Sequence, residues 1–278
     1  MPVLCNMALT EESTNSEELH ILGESSDQIS EPDSDGTDSL SNSSPDVSLP
    51  KVAVPEKIIL CIDISLDKDC GSYLMKNSKD CLISRLLVLK EALKIFLMNK
   101  ISLQKNVKFA LVAVEYNSVK WISDFKSELQ EIILLIDNLI SNSNVIADGV
   151  INYELTPLFQ TIQQNIIIPA EDCPSIIPSS EVYRAILIYN SSKCIPQVNL
   201  EDDDYIKLMS SPYFVLDILY LHDSDKGNEC QNIFHKLAFI CKNTSYIFEV
   251  PRSVLKVYNS LAKLLSHPFQ RAHLQELF

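Results

Sequence analysis

Six short runs of apolar, β-branched and aromatic residues alternate along this chain with segments whose apolar residues recur at helical spacing. Three of these runs, Lys57–Ile64, Val182–Tyr189 and Tyr213–Leu221, are apolar at nearly every position. Such runs are typical of strands that are buried on both faces of a sheet. The alternation predicts an α/β fold of Rossmann type, a mainly parallel sheet with helices on both faces.

The predicted elements follow from the spacing of apolar residues and from turn residues between them. The predicted strands are Lys57–Ile64, Val107–Glu115, Val119–Ser123, Val182–Tyr189, Tyr213–Leu221 and Ser245–Val250. The predicted helices are Cys81–Ile101, Lys126–Ile140, Leu155–Gln164, Cys230–Cys241 and Val254–Leu265. The acidic run Asp202–Asp204 is consistent either with a solvated loop or with a helix start.

The chain before the first strand has a different composition. Residues 1–50 contain eleven acidic side chains, no Lys or Arg and no aromatic residue. Such a segment cannot bury enough apolar area to offset its chain entropy, so residues 1–54 are predicted to be a disordered acidic tail. The predicted globular domain covers residues 55–266, and residues 267–278 form a C-terminal segment.

The charge distribution excludes several classes of partner, and the cysteine usage indicates the cellular compartment. Of the net charge of −14, the first 50 residues account for −11, which leaves −3 for residues 51–278. A nearly neutral body lacks the positive surface that nucleic acid requires, and the acidic tail repels nucleic acid and anionic lipid. The apolar runs are too short to cross a bilayer. Eight cysteines without a C-x-x-C pair indicate a reducing compartment, cytosol or nucleus.

The first predicted strand ends in a motif that resembles the metal-ion-dependent adhesion motif of von Willebrand factor A domains. Asp63 and Ser65 match its first two positions, Asp67 replaces the second serine, and Thr156 is a candidate for the distant threonine. Asn190 and two serines follow the strand that ends at Tyr189, where the motif requires Asp. Magnesium needs a nearly complete set of oxygen ligands, so we predict a degenerate site without a metal or another cofactor.

Two alternatives to a metal-free, protein-binding domain remain open at this point. The first is a metal-dependent ligand-binding domain of adhesion or chaperone type, which would use the motif at Asp63. The second is a hydrolase that uses His222 and Asp223 as an acid/base pair, although an exposed loop pair is the simpler interpretation. No G-x-G-x-x-G, Walker or G-x-S-x-G sequence is present, so nucleotide-dependent and serine-hydrolase chemistry have no support.

Several stretches occur in an order that resembles one family over about residues 55–271. They read EKIILCIDIS (56–65), FALVAV (109–114), LFQTIQQ (158–164), AILIY (185–189), PYFVLDILYLH (212–222), TSYIFEV (244–250) and LAKLLSHPFQR (261–271). Together they are similar to the BRISC and BRCA-A complex member one family, the von Willebrand factor A-like adaptors also called mediators of Rap-eighty interactions.

The resemblance implies a non-catalytic adaptor in deubiquitinase complexes that cleave lysine-63-linked ubiquitin. It implies direct binding to a ubiquitin-E2-variant-like subunit and shared complexes with a JAMM metalloprotease and an Abraxas-type scaffold. Serine hydroxymethyltransferase or a ubiquitin-interacting-motif subunit would be reached through the complex. The implied setting is nucleus and cytoplasm, with roles in the DNA damage response, DNA repair, chromatin regulation and cell division.

The C-terminal segment contains the Pro-x-x-Arg docking element that the resemblance implies. It consists of His267, Pro268, Phe269, Gln270 and Arg271. Pro268 ends the preceding helix, Phe269 offers apolar area, and the planar guanidinium of Arg271 suits a carboxylate or carbonyl group. We therefore expect His267, Pro268, Phe269 and Arg271 to bind a partner.

Overall fold

The computed structural model describes most of the predicted globular domain. The described residues are 54–66, 73–74, 82–116, 118–145, 152–168, 181–223, 227–242 and 244–271. The predicted acidic tail lies outside the described residues apart from Val54, as do Asp67 and residues 272–278.

Within the described residues, five strands of eight or nine residues, one of four residues and six shorter ones form the sheets. In chain order they are β1 (Glu56–Asp63), β2 (Ser65–Leu66), β3 (Tyr73–Leu74), β4 (Leu82–Ile83), β5 (Lys108–Glu115), β6 (Ser118–Lys126), β7 (Asn144–Val145), β8 (Asn152–Glu154), β9 (Val182–Tyr189), β10 (Ile195–Gln197), β11 (Phe214–Leu221) and β12 (Ile247–Val250). The helices are α1 (Arg85–Leu103), α2 (Leu129–Ser141), α3 (Thr156–Asn165), α4 (Asp203–Ser210), α5 (Gly227–Phe239) and α6 (Val254–Lys263), and a 3-10 helix follows at Pro268–Gln270.

The central sheet has the strand order β12-β11-β9-β1-β5-β6. All neighbouring pairs are parallel except β5 and β6, so the antiparallel strand β6 lies at one edge. The chain therefore starts in the middle of the sheet, builds outward to β6, returns to β9 and continues to β12. This is the doubly wound arrangement, and it confirms the predicted mainly parallel α/β sheet.

Helices cover both faces of the sheet, and each face has its own apolar core. Helices α1, α2 and α6 pack on one face against side chains such as Ile58, Leu60 and Ile62 of β1. Helices α3, α4 and α5 pack on the other face against the alternate residues Ile59 and Cys61. Because successive side chains of a strand point to opposite faces, a strand covered on both sides must be apolar throughout.

The structure moves several predicted boundaries. Strand β6 runs from Ser118 to Lys126, longer than predicted, and β12 is shorter because Ser245 and Tyr246 precede it. The acidic run at residue 202 starts helix α4, with the Asp202 side chain accepting from the backbone N–H groups of Asp204 and Tyr205. Among the described helices, none is long and apolar enough to span a bilayer.

Candidate functional site

The candidate metal motif lies at the carboxyl end of β1, where parallel strands commonly place their ligand sites. Asp63 is fully buried there. Its Oδ1 accepts hydrogen bonds from the backbone N–H of Ser65 at 2.9 Å and from the hydroxyl of Tyr153 at 2.8 Å. Its Oδ2 accepts from the backbone N–H of Asn190 at 2.9 Å. Burial raises the pKa of Asp63 to about 6, although these hydrogen bonds act in the opposite direction.

The other oxygen donors of the motif are also engaged within the chain. The hydroxyl of Ser65 accepts from the backbone N–H of Tyr116 at 2.9 Å. Thr156 is the first residue of α3, and its Oγ1 accepts from the backbone N–H of Asn199 at 2.8 Å. The structure thus brings Asp63 and Ser65 together, while the Thr156 hydroxyl holds the loop that precedes α4.

A buried guanidinium connects the neighbouring strand ends. Arg85 begins α1 and is 1% exposed. Its Nη1 donates to Oδ1 of Asn190 at 2.9 Å and to the carbonyl of Leu221 at 3.3 Å. Its Nη2 lies 2.7 Å from Oδ1 of Asp223. Arg85 therefore joins the loop after β9 to the loop after β11.

These residues do not fit a divalent cation. The two oxygens of Asp63 already accept three hydrogen bonds, and Asn190 replaces the carboxylate that the motif requires after β9. The permanent charge of Arg85 lies one hydrogen bond from Asn190 and would repel a second cation. Within the described ranges, no three His, Cys, Asp or Glu side chains are grouped as metal ligands.

The side chains of His222 and Asp223, the predicted acid/base pair, contact different partners. Nε2 of His222 lies 3.2 Å from Oε1 of Glu249, and its ring stacks on Tyr220 with centroids 5.0 Å apart. Asp223 Oδ1 accepts from Arg252 at 3.1 Å in addition to its pair with Arg85. The Asp223 carboxylate is thus committed to two guanidinium groups, which is typical of a structural ion pair.

A second cluster of charges lies at the amino ends of the parallel strands. It contains three cations and two carboxylates, all buried: Lys100, Arg184, Arg271, Glu56 and Asp217. Glu56 pairs with Lys100 and lies 3.3 Å from Nη1 of Arg184. Arg184 Nε donates to Oδ2 of Asp217 at 2.7 Å, so the pairs form one continuous network.

Asp217 is the carboxylate to which the C-terminal segment binds. Arg271 donates from Nη1 to Oδ1 and from Nη2 to Oδ2, both at 2.7 Å, and its guanidinium lies 4.0 Å from the ring centroid of Tyr246. The backbone N–H of Tyr246 also donates to Oδ1 of Asp217 at 2.7 Å. Burial raises the pKa of Asp217, but the charges of Arg184 and Arg271 outweigh it and hold the pKa below its usual value.

His267 joins the C-terminal segment to the start of the domain. Its Nδ1 accepts from the backbone N–H of Phe269 at 3.1 Å, which caps the 3-10 helix. Its Nε2 lies 3.1 Å from the carbonyl of Val54, so Nε2–H is the donor there. Burial lowers the pKa of His267 and favours this neutral form.

The charge cluster also holds the two backbone carbonyls that directly precede the C-terminal segment. Lys100 Nζ donates to the carbonyl of Leu265 at 3.0 Å, and Arg184 Nη1 donates to the carbonyl of Ser266 at 3.3 Å. The segment is therefore packed against its own domain up to Arg271.

This packing limits what the predicted docking residues can offer a partner. His267, Pro268 and Arg271 are buried in this chain, Phe269 is half-buried and Gln270 is exposed. Partner binding by His267, Pro268, Phe269 and Arg271 stays a prediction. In this conformation the fork of Arg271 is used by Asp217, so Phe269 and Gln270 are the accessible part of the element.

Sequence reasoning missed the residues that hold both sites together. Arg184 and Asp217 each interrupt a run predicted to be buried on both faces, and a buried charge requires a buried partner of opposite sign. That signal was present, but it did not identify the partners. Arg85 gave no comparable signal, because an arginine in the first turn of a helix is usually exposed.

The fold and the site together define the class of this protein. A doubly wound six-stranded sheet with one antiparallel edge strand, and an Asp-x-Ser turn at the end of the first strand, define a von Willebrand factor A-like domain. In this domain, the oxygen donors of the turn are engaged in internal hydrogen bonds.

Comparison with known proteins identifies the family. The chain is 31% identical over 227 residues to BRISC and BRCA1-A complex member 1 of Xenopus tropicalis, covering 80% of this chain and 68% of the relative. It is 30% identical over 232 residues to the Homo sapiens protein of that name, covering 81% and 68%. The chain belongs to the BRISC and BRCA1-A complex member 1 family. No protein-family model matches the chain.

Solved structures give more distant likenesses. The von Willebrand factor A domain of SpRpn10 has a TM-score of 0.47 and 13% identity, covering 78% of this chain and 98% of that chain. The PilB minor pilin of Streptococcus sanguinis has a TM-score of 0.47 and 11% identity, covering 77% and 61%.

Proposed function

We propose that this chain is a non-catalytic scaffold subunit of BRISC- and BRCA1-A-type complexes that cleave lysine-63-linked ubiquitin. One observation carries the proposal: relatives named as members of these complexes match 80% of the chain. The internal engagement of Asp63 and Asp223 supports a role without catalysis, because neither carboxylate is available as a metal ligand or a general base.

The proposed partners follow from the family. The direct partner is the ubiquitin-E2-variant-like subunit, and the catalytic subunit of the same complex is a JAMM metalloprotease. An Abraxas-type scaffold completes the core, and serine hydroxymethyltransferase or a ubiquitin-interacting-motif subunit is reached through it. The chain would act in the nucleus, in the DNA damage response, and in the cytoplasm.

Co-expression tests the scaffold assignment. The tagged full chain is co-expressed with the ubiquitin-E2-variant-like subunit and the Abraxas-type scaffold, with and without the JAMM subunit, and purified by size exclusion. We expect a stable complex in both cases and cleavage of lysine-63-linked diubiquitin only when the JAMM subunit is present. Cleavage by the isolated chain, or elution of the chain apart from both subunits, would contradict the proposal.

The docking segment needs a finer test than truncation. Deletion from His267 onward would also remove Arg271 from the buried Asp217, and leaving a buried carboxylate unpaired destabilises the domain. Phe269→Ala removes accessible apolar area instead, and Phe239→Ala is a matched control because Phe239 is 72% exposed at the end of α5. We expect only Phe269→Ala to weaken co-purification with the ubiquitin-E2-variant-like subunit. Equal co-purification of both variants would reject a docking role for Phe269.

A further inference from the structure

A cavity of about 450 Å³ lies beside the docking segment, a volume typical of ligand sites. Its apolar wall includes Met209, Phe214, Val215 and Phe269. Two cationic side chains, Lys242 and Arg271, also line it. An apolar wall combined with two cations favours a ligand that carries both an apolar group and a negative charge.

Among the described residues, the ammonium group of Lys242 contacts neutral carbonyl dipoles and forms no ion pair. Nζ donates to the carbonyls of Ser211 at 2.7 Å and Phe214 at 3.2 Å, and both acceptors are neutral. Burial lowers the pKa of Lys242 to about 8, because its charged form is incompletely compensated. A carboxylate in the cavity would supply the missing countercharge.

Arg271 contributes an unused donor on the same lining. Its two terminal nitrogens bind Asp217, but its Nε is buried and has no hydrogen-bond acceptor within the described part of the chain. Its side chain is 3% exposed. A buried N–H without an acceptor is unfavourable, and it adds positive potential to this side of the cavity.

The buried network next to the cavity carries a surplus of positive charge. Lys100, Arg184 and Arg271 are three cations, and Glu56 and Asp217 are the two carboxylates that face them. Lys242 raises the surplus of this region from one charge to two. Low-dielectric surroundings strengthen the attraction of such a surplus for an anion.

We propose that this cavity binds an acidic peptide segment of a partner protein, with a carboxylate at Lys242 and Arg271 and a neighbouring apolar side chain against Phe214 and Phe269. The inference deepens the proposed scaffold role, on which it rests, because Phe269 belongs to the docking segment. Charge complementarity and continuity with that segment select an acidic peptide as the occupant.

A matched pair of labelled peptides tests the site on the isolated full chain. The probes are Ac-Gly-Phe-Glu-Leu-Gly-NH2 and its Gln counterpart, and binding is measured by fluorescence polarisation. We expect the Glu peptide to bind about tenfold more tightly than the Gln peptide, a difference of about 1.4 kcal/mol, which is near the contribution of one hydrogen bond to a charged group. Raising the salt concentration should reduce that difference.

Two variants locate the binding. Lys242→Gln retains a donor for the two carbonyls but loses the charge, and should bring the Glu peptide to the affinity of the Gln peptide. Lys105→Gln is the control, because Lys105 lines a different cavity beside Ser266, and should leave both affinities unchanged. If Lys242→Gln lowers the melting temperature, Phe269→Ala is the second variant and should weaken both peptides by the same factor.

Three results would overturn the inference. They are equal affinity for the Glu and Gln peptides, equal effects of Lys242→Gln and Lys105→Gln, and no binding of either peptide by the full chain. None of these results affects the co-purification assay, so failure of this inference and failure of the scaffold proposal are distinguishable.

Discussion

Arg271 and Asp217 form a bidentate ion pair in which both N···O distances are 2.7 Å, across 54 residues of sequence. The pair fastens the C-terminal segment to β11, the strand between β9 and the edge strand β12. A guanidinium–carboxylate fork of this kind has strict geometry and is stronger than a neutral hydrogen bond. Asp217 also accepts from Arg184 and from the backbone of Tyr246, so the pair completes a larger buried network.

Removal of the guanidinium should therefore destabilise the whole domain. In Arg271→Met the Asp217 carboxylate loses two of its hydrogen bonds while it remains buried, and breaking a buried pair costs about 3–5 kcal/mol. Urea unfolding followed by circular dichroism measures the change. Gln270→Ala is the control, since Gln270 is exposed and should change the free energy of unfolding by under about 0.5 kcal/mol. Equal stability of the two variants would show that the pair contributes nothing.

Acid should loosen the same segment through His267. The native pKa of His267 is lowered from 6.5, chiefly by burial and also by the charges of Lys100 and Arg184, while Glu56 acts in the opposite direction. Between the lowered native value and about 6.5 the unfolded chain binds more protons than the native state. The contribution of neutral His267 to stability is therefore present above pH 6.5 and is lost as the pH falls through the native pKa.

A variant that cannot titrate isolates this effect. His267→Asn retains an acceptor for the backbone N–H of Phe269 but has no proton to gain in this range. Free energies of unfolding measured at pH 7.5 and pH 5.0 should fall more for the native chain than for His267→Asn. If both proteins lose the same amount, titration of His267 does not control the stability of the segment.

The fold was predictable because its signal is local and repeated. The continuous apolar runs of β1, β9 and β11 and the helical spacing between them required a sheet covered on both faces, and the structure confirms it. The Asp63–Ser65 turn was predictable for the same reason, since both residues belong to one short motif. Helix α4 was less clear, because an aspartate run is equally consistent with a loop and with a helix start.

The ion pairs were not predictable, because their partners are far apart in sequence. Nothing in the periodicity of the chain indicates that Arg184 pairs with Asp217 or that Arg85 reaches Asp223. What the sequence does contain is a charged residue inside a buried strand, which requires a partner without identifying it. The choice of partner is made by the register of β9 and β11, which places Arg184 opposite Val215, two residues from Asp217.

Magnesium should have little effect on this domain. Asp63 accepts hydrogen bonds from three donors, and a cation would have to displace them. The cation would also lack the second carboxylate ligand, because Asn190 stands where the motif requires Asp. Calorimetric titration of the full chain with magnesium or manganese should give no micromolar binding. Micromolar binding that disappears in Asp63→Ala would instead favour the metal-dependent adhesion or chaperone alternative.

Arg85 should stabilise the domain by joining two loops, as a bound metal ion joins the loops of a site with a complete set of ligands. It connects the ends of β9 and β11 through Asn190 and Asp223, and the same carboxylate also binds Arg252, whose side chain is 34% exposed. The two arginines thus form a matched pair of positions for substitution around one carboxylate.

Because Arg85 is buried, Arg85→Met should lower the free energy of unfolding by about 3–5 kcal/mol. Because surface pairs contribute little, Arg252→Met should lower it by under about 1 kcal/mol. Thermal unfolding with magnesium or EDTA should move neither midpoint, and equal losses in the two variants would show that the buried guanidinium is dispensable.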